Sequence, residues 1–476
     1  MQQTQISTTV QVLSPTLHLY HYVLRNGINE SFETLEKRRE TFNQQLQQFT
    51  SQLTLPTGQK ADEVVKLMPP KEEPTDTGNI LDLNNVPDEC KPTNGVNYNL
   101  LYLNDGTVSS RLAASRLNDT YLLRFTSFVS SRYGNQHLDR FGDFPHITNL
   151  PLELGQTVIL AGIIPESDYS EANILPIAAK CLSCYYGTQI EPDKLSKDEF
   201  LDSPFCIYQQ TEIVKKVNEY EIESIRLSCV FIYKDESAEN RANKVYQIFQ
   251  DLLLSYHKIH FFYSQSLVLK KRLSQLYEDI ERLTEKYHQQ KWNTESLKKL
   301  PQDSLEYYKK LSFLEDQARA IKINSSNYQE RLKQIEQDLG QEAPKFFTEF
   351  EKDINFYTDQ IKSNIGFLTP GIQLFEKLML SVQTQVSIDD AALQKQQNQR
   401  QAKLGQLLTG ASAAIAIGQI LYEPIKTTVS QRIDRNPNQI SIYSLWSGAG
   451  LTIIMSIFCG YMLSKLVYQW FTKEKF

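Results

Sequence analysis

The chain of 476 residues lacks the short motifs that mark the common catalytic sites. It contains no GxxxxGKS/T phosphate-binding loop, no GxGxxG turn, no HExxH zinc motif and no GxSxG nucleophile motif. Nucleotide hydrolysis, zinc proteolysis and serine hydrolysis therefore lack the residues on which their chemistry usually depends. We expect a protein that is not an enzyme and that uses neither a cofactor nor a metal.

The chain is also poor in cysteine and has no excess of basic residues. Its six cysteines are scattered, which argues against a disulfide framework and fits a reducing compartment. A formal net charge of −6 gives no basic face for nucleic acid, so we expect no nucleic-acid partner. The first residues contain no basic region followed by a long apolar core. We therefore expect no secretory signal peptide and a mostly cytoplasmic protein.

Two long apolar segments are present, at residues 404–422 and 445–463. The first contains no Asp, Glu, Lys or Arg, and each approaches the roughly 20 residues that a helix needs to cross a bilayer. Trp446 near the start of the second segment, with Tyr468 and Trp470 after it, is typical of aromatic residues at membrane interfaces. The sequence predicts a transmembrane hairpin at residues 404–463. A buried or interfacial helix is the alternative for the first segment.

Small and polar residues in these segments predict two kinds of helix face, one for packing against other helices and one for lining a pore. Small residues at four-residue spacing let helices approach closely in lipid. They predict packing positions at Gly410, Ala414, Gly418, Gly448, Thr452, Ser456 and Gly460. If the hairpin forms a pore, its polar lining is expected at Gln406, Thr409, Ser412 and Gln419.

The basic residues beside the segments predict the orientation of the hairpin. Six basic residues flank the two outer ends of the hairpin: Lys395, Arg400, Lys403, Lys465, Lys473 and Lys475. Three lie in the loop between the segments: Lys426, Arg432 and Arg435. Because basic residues favour the cytoplasmic side, we expect a two-span protein of the cell membrane with both termini in the cytoplasm.

The remaining sequence predicts an α+β or α/β cytoplasmic domain, then a long helical bundle or coiled-coil stalk, then the transmembrane hairpin. We divide it into an N-terminal strand and helices that belong to the α/β domain (1–55), a disordered linker or insertion (56–95), the α/β domain (96–236), the helical stalk (237–403), the hairpin (404–463) and a cytoplasmic tail (464–476). Ser14 and Pro15 resemble a helix N-cap and first-turn proline, so a strand followed by a helix is expected within residues 8–24. Residues 195–201 are also expected to be helical.

Apolar residues at alternating spacings of four and three mark the stalk. One run extends from Leu269 to Tyr287 and a second from Leu311 to Leu339. Pro301, Gly340 and Pro344 are expected to be turns between helices. The pattern fits either an antiparallel bundle within one chain or a coiled coil between subunits of a homo-oligomer.

Polar side chains are densest in the α/β domain at residues 130–145. If this domain binds a ligand, we expect it at Arg132, Asn135, His137, Asp139 and Arg140. The alternative is an ordinary charged loop between strands. Cys181 with Cys184, and His257 with His260, have the spacing of paired metal ligands, but buried thiols and aromatic packing are the more common explanations.

The order of these parts over residues 96–476 resembles the CorA-like divalent-cation transporters. The resemblance implies an oligomer in which a cytoplasmic domain controls a membrane pore through stalk helices. That family carries a Gly-Met-Asn signature just after its first span, where this chain has Leu421, Tyr422, Glu423 and Pro424. The loop at residues 423–444 is also longer than the family's short turn. The resemblance therefore extends to the plan of parts and not to the transported ion.

These observations lead to two functional hypotheses. The first is an oligomeric integral membrane protein whose cytoplasmic sensing domain acts through the stalk on a CorA-like channel or a membrane-acting hairpin. The second is a membrane-anchored scaffold, or a regulatory or effector protein of a bacterial stress or conflict pathway, without transport activity. The expected partners are the lipid bilayer, further copies of this chain and an unidentified protein.

Overall fold

The computed structural model describes residues 10–26, 32–55, 57–82, 84–91, 101–146, 150–165, 167, 169–217, 220–289, 291, 294–393 and 465. Within this part of the chain, none of the helices combines the length and the apolar content that crossing a bilayer requires. The predicted hairpin at residues 404–463, with its packing and pore-lining positions, lies outside the described residues. The described residues form an N-terminal mixed α/β domain followed by long helices, as the sequence predicts.

The chain divides into two compact units, and the first comprises Met1–Val268 and Glu315–Lys362. Its strands are β1 (Gln11–Leu24), β2 (Lys66–Leu67), β3 (Thr77–Asn79), β4 (Leu81–Asp82), β5 (Leu101–Asp105), β6 (Val108–Leu117), β7 (Thr120–Val129), β8 (Gln136–His137), β9 (Gly155–Ile163), β10 (Ser196–Phe200), β11 (Ser203–Val217) and β12 (Tyr220–Tyr233). Its helices before the stalk are α1 (Phe32–Thr50), α2 (Ala61–Val64), α3 (Ile174–Tyr186) and α4 (Glu236–Asn243).

Ten of these strands form one sheet with β1 near its centre. The strand order is β10-β11-β12-β9-β1-β7-β6-β3, with β5 also pairing to β6 and β8 to β1. Strands β9 and β12 are parallel, and the other pairs recorded for the described strands are antiparallel. Alternate residues of β1 are directed to opposite faces of the sheet. Leu17 and Leu19 belong to the apolar core shared with α1 and α3, whereas Tyr20 and Tyr22 contact the helix that follows α4.

The N-terminal segment is one strand, which corrects the expectation of a strand followed by a helix. Ser14 has a φ of 54°, and the pairing of β1 with β9 shifts register between Leu13 and Thr16. The Ser-Pro pair therefore lies at a β-bulge and does not cap a helix. Strand β1 is paired on both edges and largely buried on both faces, so its sequence lacks the polar alternation that identifies a half-exposed strand.

The segment at residues 56–95 contains α2 and three short strands, which corrects the expectation of a disordered linker. Strand β3 extends the sheet by pairing with β6, and Val65, Ile80 and Leu81 are fully buried. The Arg39 guanidinium of α1 pairs with Glu73 at 2.6 Å. A few apolar residues and one ion pair thus hold a segment whose overall composition resembles a linker.

Residues 195–201 were expected to be helical, and this expectation is wrong. Residues Ser196–Phe200 form β10, which pairs with β11 at the edge of the sheet. Pairing with a neighbouring strand outweighs the helix propensity of these charged residues.

The long helices are α5 (Tyr246–His288), α6 (Thr294–Leu339), α7 (Lys345–Leu368) and α8 (Pro370–Leu393). Pro301, expected to be a turn, lies inside α6, where its neighbours Leu300 and Ser304 are buried. The predicted turn at Gly340 is present, with a φ of 66° directly after α6. Tertiary packing thus keeps α6 helical through its proline, while the glycine ends it.

The second unit comprises Leu269–Leu314 and Ser363–Phe476, and its described part is a set of helical segments. Arg272 and Glu306 pair at 2.9 Å, and the Tyr307 and Phe375 rings lie 5.4 Å apart. The apolar positions of the predicted pattern are buried here at Leu273, Leu276, Ile280, Leu311 and Leu314. Helical bundle-like packing is therefore present, and an additional coil between subunits stays a prediction.

Candidate functional site

The first turns of α5 lie on the face of the sheet opposite α1, and we name this contact the α5 seat. It comprises residues 246–260 of α5 with the strand side chains that they contact. Tyr20 on β1 is paired across the sheet with Thr157 on β9 and with Arg124 on β7. Because paired residues share a face, these three strands present polar groups to the helix in a single row.

Hydrogen bonds join side chains of these three strands to successive turns of α5. The Thr157 hydroxyl and His257 Nε2 are 2.7 Å apart, and both residues are fully buried. The Tyr22 hydroxyl donates to the Gln250 carbonyl oxygen at 2.8 Å. Arg124 donates to the Gln247 side chain at 2.6 Å. The helix is therefore held at defined positions along three turns and not by apolar contact alone.

A glycine allows the closest approach within the seat. A Cβ atom added to Gly155, the first residue of β9, would lie 2.3 Å from Cγ and Nδ1 of the His257 ring. That distance is far shorter than a van der Waals contact. The imidazole of α5 thus occupies the space that any other residue at position 155 would fill.

An ion pair also joins α5 to the turn between β6 and β7. Lys258 of α5 forms an ion pair with Asp119, and their side chains are only 9% and 21% exposed. The Asp119 backbone oxygen also accepts from the Arg25 and Asn26 amides at the end of β1. Lys258 therefore connects α5 to a turn that is itself fixed to the central strand.

Three histidines line the seat, two of them buried and His260 partly exposed, and loss of solvent around the rings lowers the pKa of each to about 3. His18 stacks on Tyr246 at 3.9 Å, and His260 lies 4.8 Å from the Phe350 ring. His18 Nε2, His257 Nδ1 and His260 Nε2 are buried without a hydrogen-bond partner. The imidazoles are neutral at pH 7, and a proton added to any of them would create a buried charge.

On the opposite face of the sheet, His21 belongs to a separate hydrogen-bond chain. The Gln156 amide is 3.3 Å from His21 Nδ1, and His21 Nε2 is 3.0 Å from Gln45 Oε1 of α1. The Gln45 amide is 3.4 Å from the Pro151 carbonyl oxygen. If the Gln45 and Gln156 amide nitrogens donate, His21 carries its hydrogen on Nε2. Burial lowers the pKa of His21 to about 4, so this imidazole is also neutral at pH 7.

The five residues predicted to bind a ligand make different contacts in the structure. The Arg132 guanidinium lies 4.7 Å from the centre of the Tyr133 ring, Asn135 and His137 are exposed, and Arg140 pairs with Asp143 at 2.7 Å. Asp139 is directed to α3, where its Oδ1 is 3.2 Å from Cys184 Sγ and 3.1 Å from Lys180 Nζ. The structure thus brings the polar segment to the CxxC sequence, which spacing alone did not predict. Ligand binding at the five residues stays a prediction.

The paired cysteines and histidines occupy unlike surroundings. Cys181 is buried, and burial raises the pKa of its thiol, whereas Cys184 is partly exposed. His257 contacts Thr157, while the His260 ring packs among aromatic residues of α5 and α7. Within the described residues, His, Cys, Asp and Glu side chains do not gather in groups of three or more that could hold a metal ion.

Sequence reasoning did not identify the α5 seat. The available signal was the aromatic and histidine-rich sequence of β1 together with His257 and His260 on α5. These residues form a site only because the register of β1 and β9 places Thr157 opposite Tyr20, and the sequence does not reveal that register. Comparison of the chain with models of known protein families and with curated protein sequences gives no match.

Proposed function

We propose that this protein is a membrane-anchored oligomer in which the α/β domain acts through α5 and the following helices on a transmembrane hairpin at residues 404–463. The proposal rests on α5. This helix is held on the sheet by the contacts of the seat and runs without interruption for 43 residues, from Tyr246 to His288.

The contacts of the seat support a coupling role for α5. Thr157, Tyr22 and Asp119 lie on or beside three different strands, and each contacts α5. A rearrangement of these strands would therefore change the contacts that hold the helix. Since α5 is continuous, a change at its start can be transmitted along its length.

The membrane part of the proposal is supported by the apolar segments at residues 404–422 and 445–463. The order of an α/β domain, long helices and two C-terminal spans is the plan of the CorA-like transporters. We extend that plan to the oligomer and to a pore or other membrane action of the hairpin. The different sequence at Leu421–Pro424 leaves the transported species to be found by experiment.

Membrane insertion is tested with one substitution in a span and the same substitution in the loop. Ile453→Arg places a charge near the centre of the second segment, at a cost of about 2.5–3.5 kcal/mol for insertion. Ile433→Arg makes the same chemical change between the segments. We expect the full-length wild type and Ile433→Arg to stay with membranes after alkaline extraction, and Ile453→Arg to be released in part. Release of the wild type, or a strictly monomeric mass in detergent, would contradict the proposal.

Coupling is tested by hydrogen exchange of the full-length protein in lipid vesicles. Thr157→Val keeps the shape of the side chain and removes its hydrogen bond to His257. We expect faster exchange in residues 246–268 and also a changed rate in residues 404–463. Thr384→Val, at an exposed position of α8, serves as the control and should leave both regions unchanged. If Thr157→Val changes only residues 246–268, the hairpin is an anchor and the scaffold hypothesis is favoured.

A further inference from the structure

Lys180, Cys184 and Asp139 form a compact cluster where α3 meets the turn at residues 138–143. The Lys180 ammonium and the Cys184 thiol lie one helical turn apart and contact the same oxygen, Asp139 Oδ1, at 3.1 and 3.2 Å. The turn packs closely on α3, because a Cβ atom at Gly142 would lie 3.0 Å from the Cys184 carbonyl oxygen. The amine and the thiol are therefore held side by side.

The cluster is open to small molecules in solution. The side chains of Lys180 and Asp139 are 48% and 77% exposed, and Cys184 is partly exposed. Burial and the hydrogen bond to Asp139 raise the pKa of Cys184, and the hydrogen bond that Lys180 donates to Asp139 raises the pKa of Lys180. The resting cluster is a thiol, an ammonium and a carboxylate. Chemistry between the thiol and the amine thus requires prior oxidation of the sulfur.

We propose that Cys184 and Lys180 form a reversible sulfur–nitrogen cross-link after oxidation of Cys184 by a peroxide. In the first step the sulfur takes one oxygen from hydrogen peroxide, which gives a sulfenic acid and one water. In the second step the Lys180 nitrogen attacks that sulfur, an S–N bond forms, the S–O bond breaks and a second water leaves. The ammonium releases one proton to solvent before it attacks. The sulfur loses two electrons, and the peroxide gains them.

The cross-link would change what Asp139 contacts. The sulfenamide nitrogen is uncharged and the sulfur no longer carries a hydrogen, so Asp139 loses both an ion pair and a thiol donor. Asp139 belongs to the turn that also carries Arg140 and follows His137. Oxidation at α3 would therefore alter the turn in which ligand-binding residues were predicted.

The test uses the full-length protein in detergent, reduced and then exposed to hydrogen peroxide. Cleavage after acidic residues releases residues 172–193, because the Glu191–Pro192 bond resists cleavage, and this peptide contains Lys180 as its lysine and Cys181 and Cys184 as its cysteines. The cross-link is expected to lower the mass of this peptide by two hydrogens and to protect Lys180 from acetylation. A thiol reductant should reverse both changes.

Three variants separate the cross-link from competing products. Cys181→Ser removes the disulfide alternative and should retain the full loss of mass and of acetylation. Lys180→Arg keeps the charge beside Asp139 but lacks a primary amine, and Cys184→Ser lacks the sulfur, so neither should form the cross-link. If oxidised Cys181→Ser keeps an acetylatable Lys180, whether its mass is unchanged or raised by oxygen, the proposal is wrong. A wild-type peptide that loses two hydrogens while Lys180 stays acetylatable contains a Cys181–Cys184 disulfide and also overturns it.

Discussion

Mild acidification should destabilise the α/β domain because four of its histidines are neutral and largely buried. His18, His257 and His260 line the α5 seat, and His21 lies on the opposite face of the sheet. Their pKa values are lowered from 6.5 to about 3 or 4, mainly by burial. Below pH 6.5 the unfolded chain therefore binds protons that the folded chain does not. Stability is fully present above pH 6.5 and decreases as the pH falls toward the folded-state values.

The size of the effect follows from the distance between the assay pH and 6.5. At pH 5.5, each buried histidine costs about 1.4 kcal/mol, and four independent groups together cost about 6 kcal/mol. Glu239 acts in the opposite direction, because burial raises its pKa to about 7. Its carboxyl is partly exposed, so protonation of Glu239 offsets less than about 2 kcal/mol of the loss of unfolding free energy. We expect a net loss of about 4 kcal/mol, a large part of the stability of a typical domain.

Urea unfolding at pH 7.5 and pH 5.5, followed by circular dichroism in detergent, measures this loss. His257→Gln removes one titrating group, so its loss between the two pH values should be smaller than that of the wild type by about 1.4 kcal/mol. The overall stability of the variant does not affect this comparison, because each protein is compared with itself. Equal losses in the two proteins, or no loss in the wild type, would refute the assignment of a buried neutral histidine at the seat.

Two further predictions concern particular contacts. Gly155→Ala should lower the free energy of unfolding by about 1–3 kcal/mol, because its Cβ atom would overlap His257. Gly366→Ala adds the same group in open space on α7 and should raise stability by up to about 1 kcal/mol, so a similar loss in both would contradict the close contact at Gly155. Glu73→Gln breaks the pair with Arg39 and should speed protease cleavage within residues 66–82, whereas Glu72→Gln at an exposed position should not. Equal cleavage of the two variants would show that the ion pair does not hold this segment.

The long helices were predictable from sequence because one physical signal governs them. Apolar residues at spacings of three and four mark helix faces, and Leu273, Leu276 and Ile280 are buried as that pattern requires. Strand β7, Thr120–Val129, is likewise rich in the β-branched and aromatic residues that favour strands. Local patterns were sufficient where one face of an element is apolar.

Prediction from the sequence failed where tertiary contacts decide the local structure. Ser14 and Pro15 fit the start of a helix as well as they fit a β-bulge. Pairing of β1 on both edges decides between the two and makes the segment a bulged strand. The segment around Glu73 is fixed by a distant arginine that local composition does not reveal.

The candidate sites were only partly predictable for the same reason. Sequence singled out Asp139 and Cys184 separately, yet their contact depends on how the turn at residues 138–143 packs on α3. His257 was noted for its spacing from His260, whereas its main polar contact is Thr157, which is 100 residues away along the chain. A single sequence indicates which residues are chemically notable but not which of them meet.

Cation flux into vesicles that contain the full-length protein tests the central claim most directly. Vesicles loaded with a cation-sensitive dye are exposed first to a monovalent cation and then to Mg²⁺, with empty vesicles and the Ile453→Arg variant as controls. We predict entry of at least one cation into wild-type vesicles well above both controls. If the wild-type protein is inserted and oligomeric but neither cation enters above the level of empty vesicles, the hairpin is an anchor and the proposed pore is wrong.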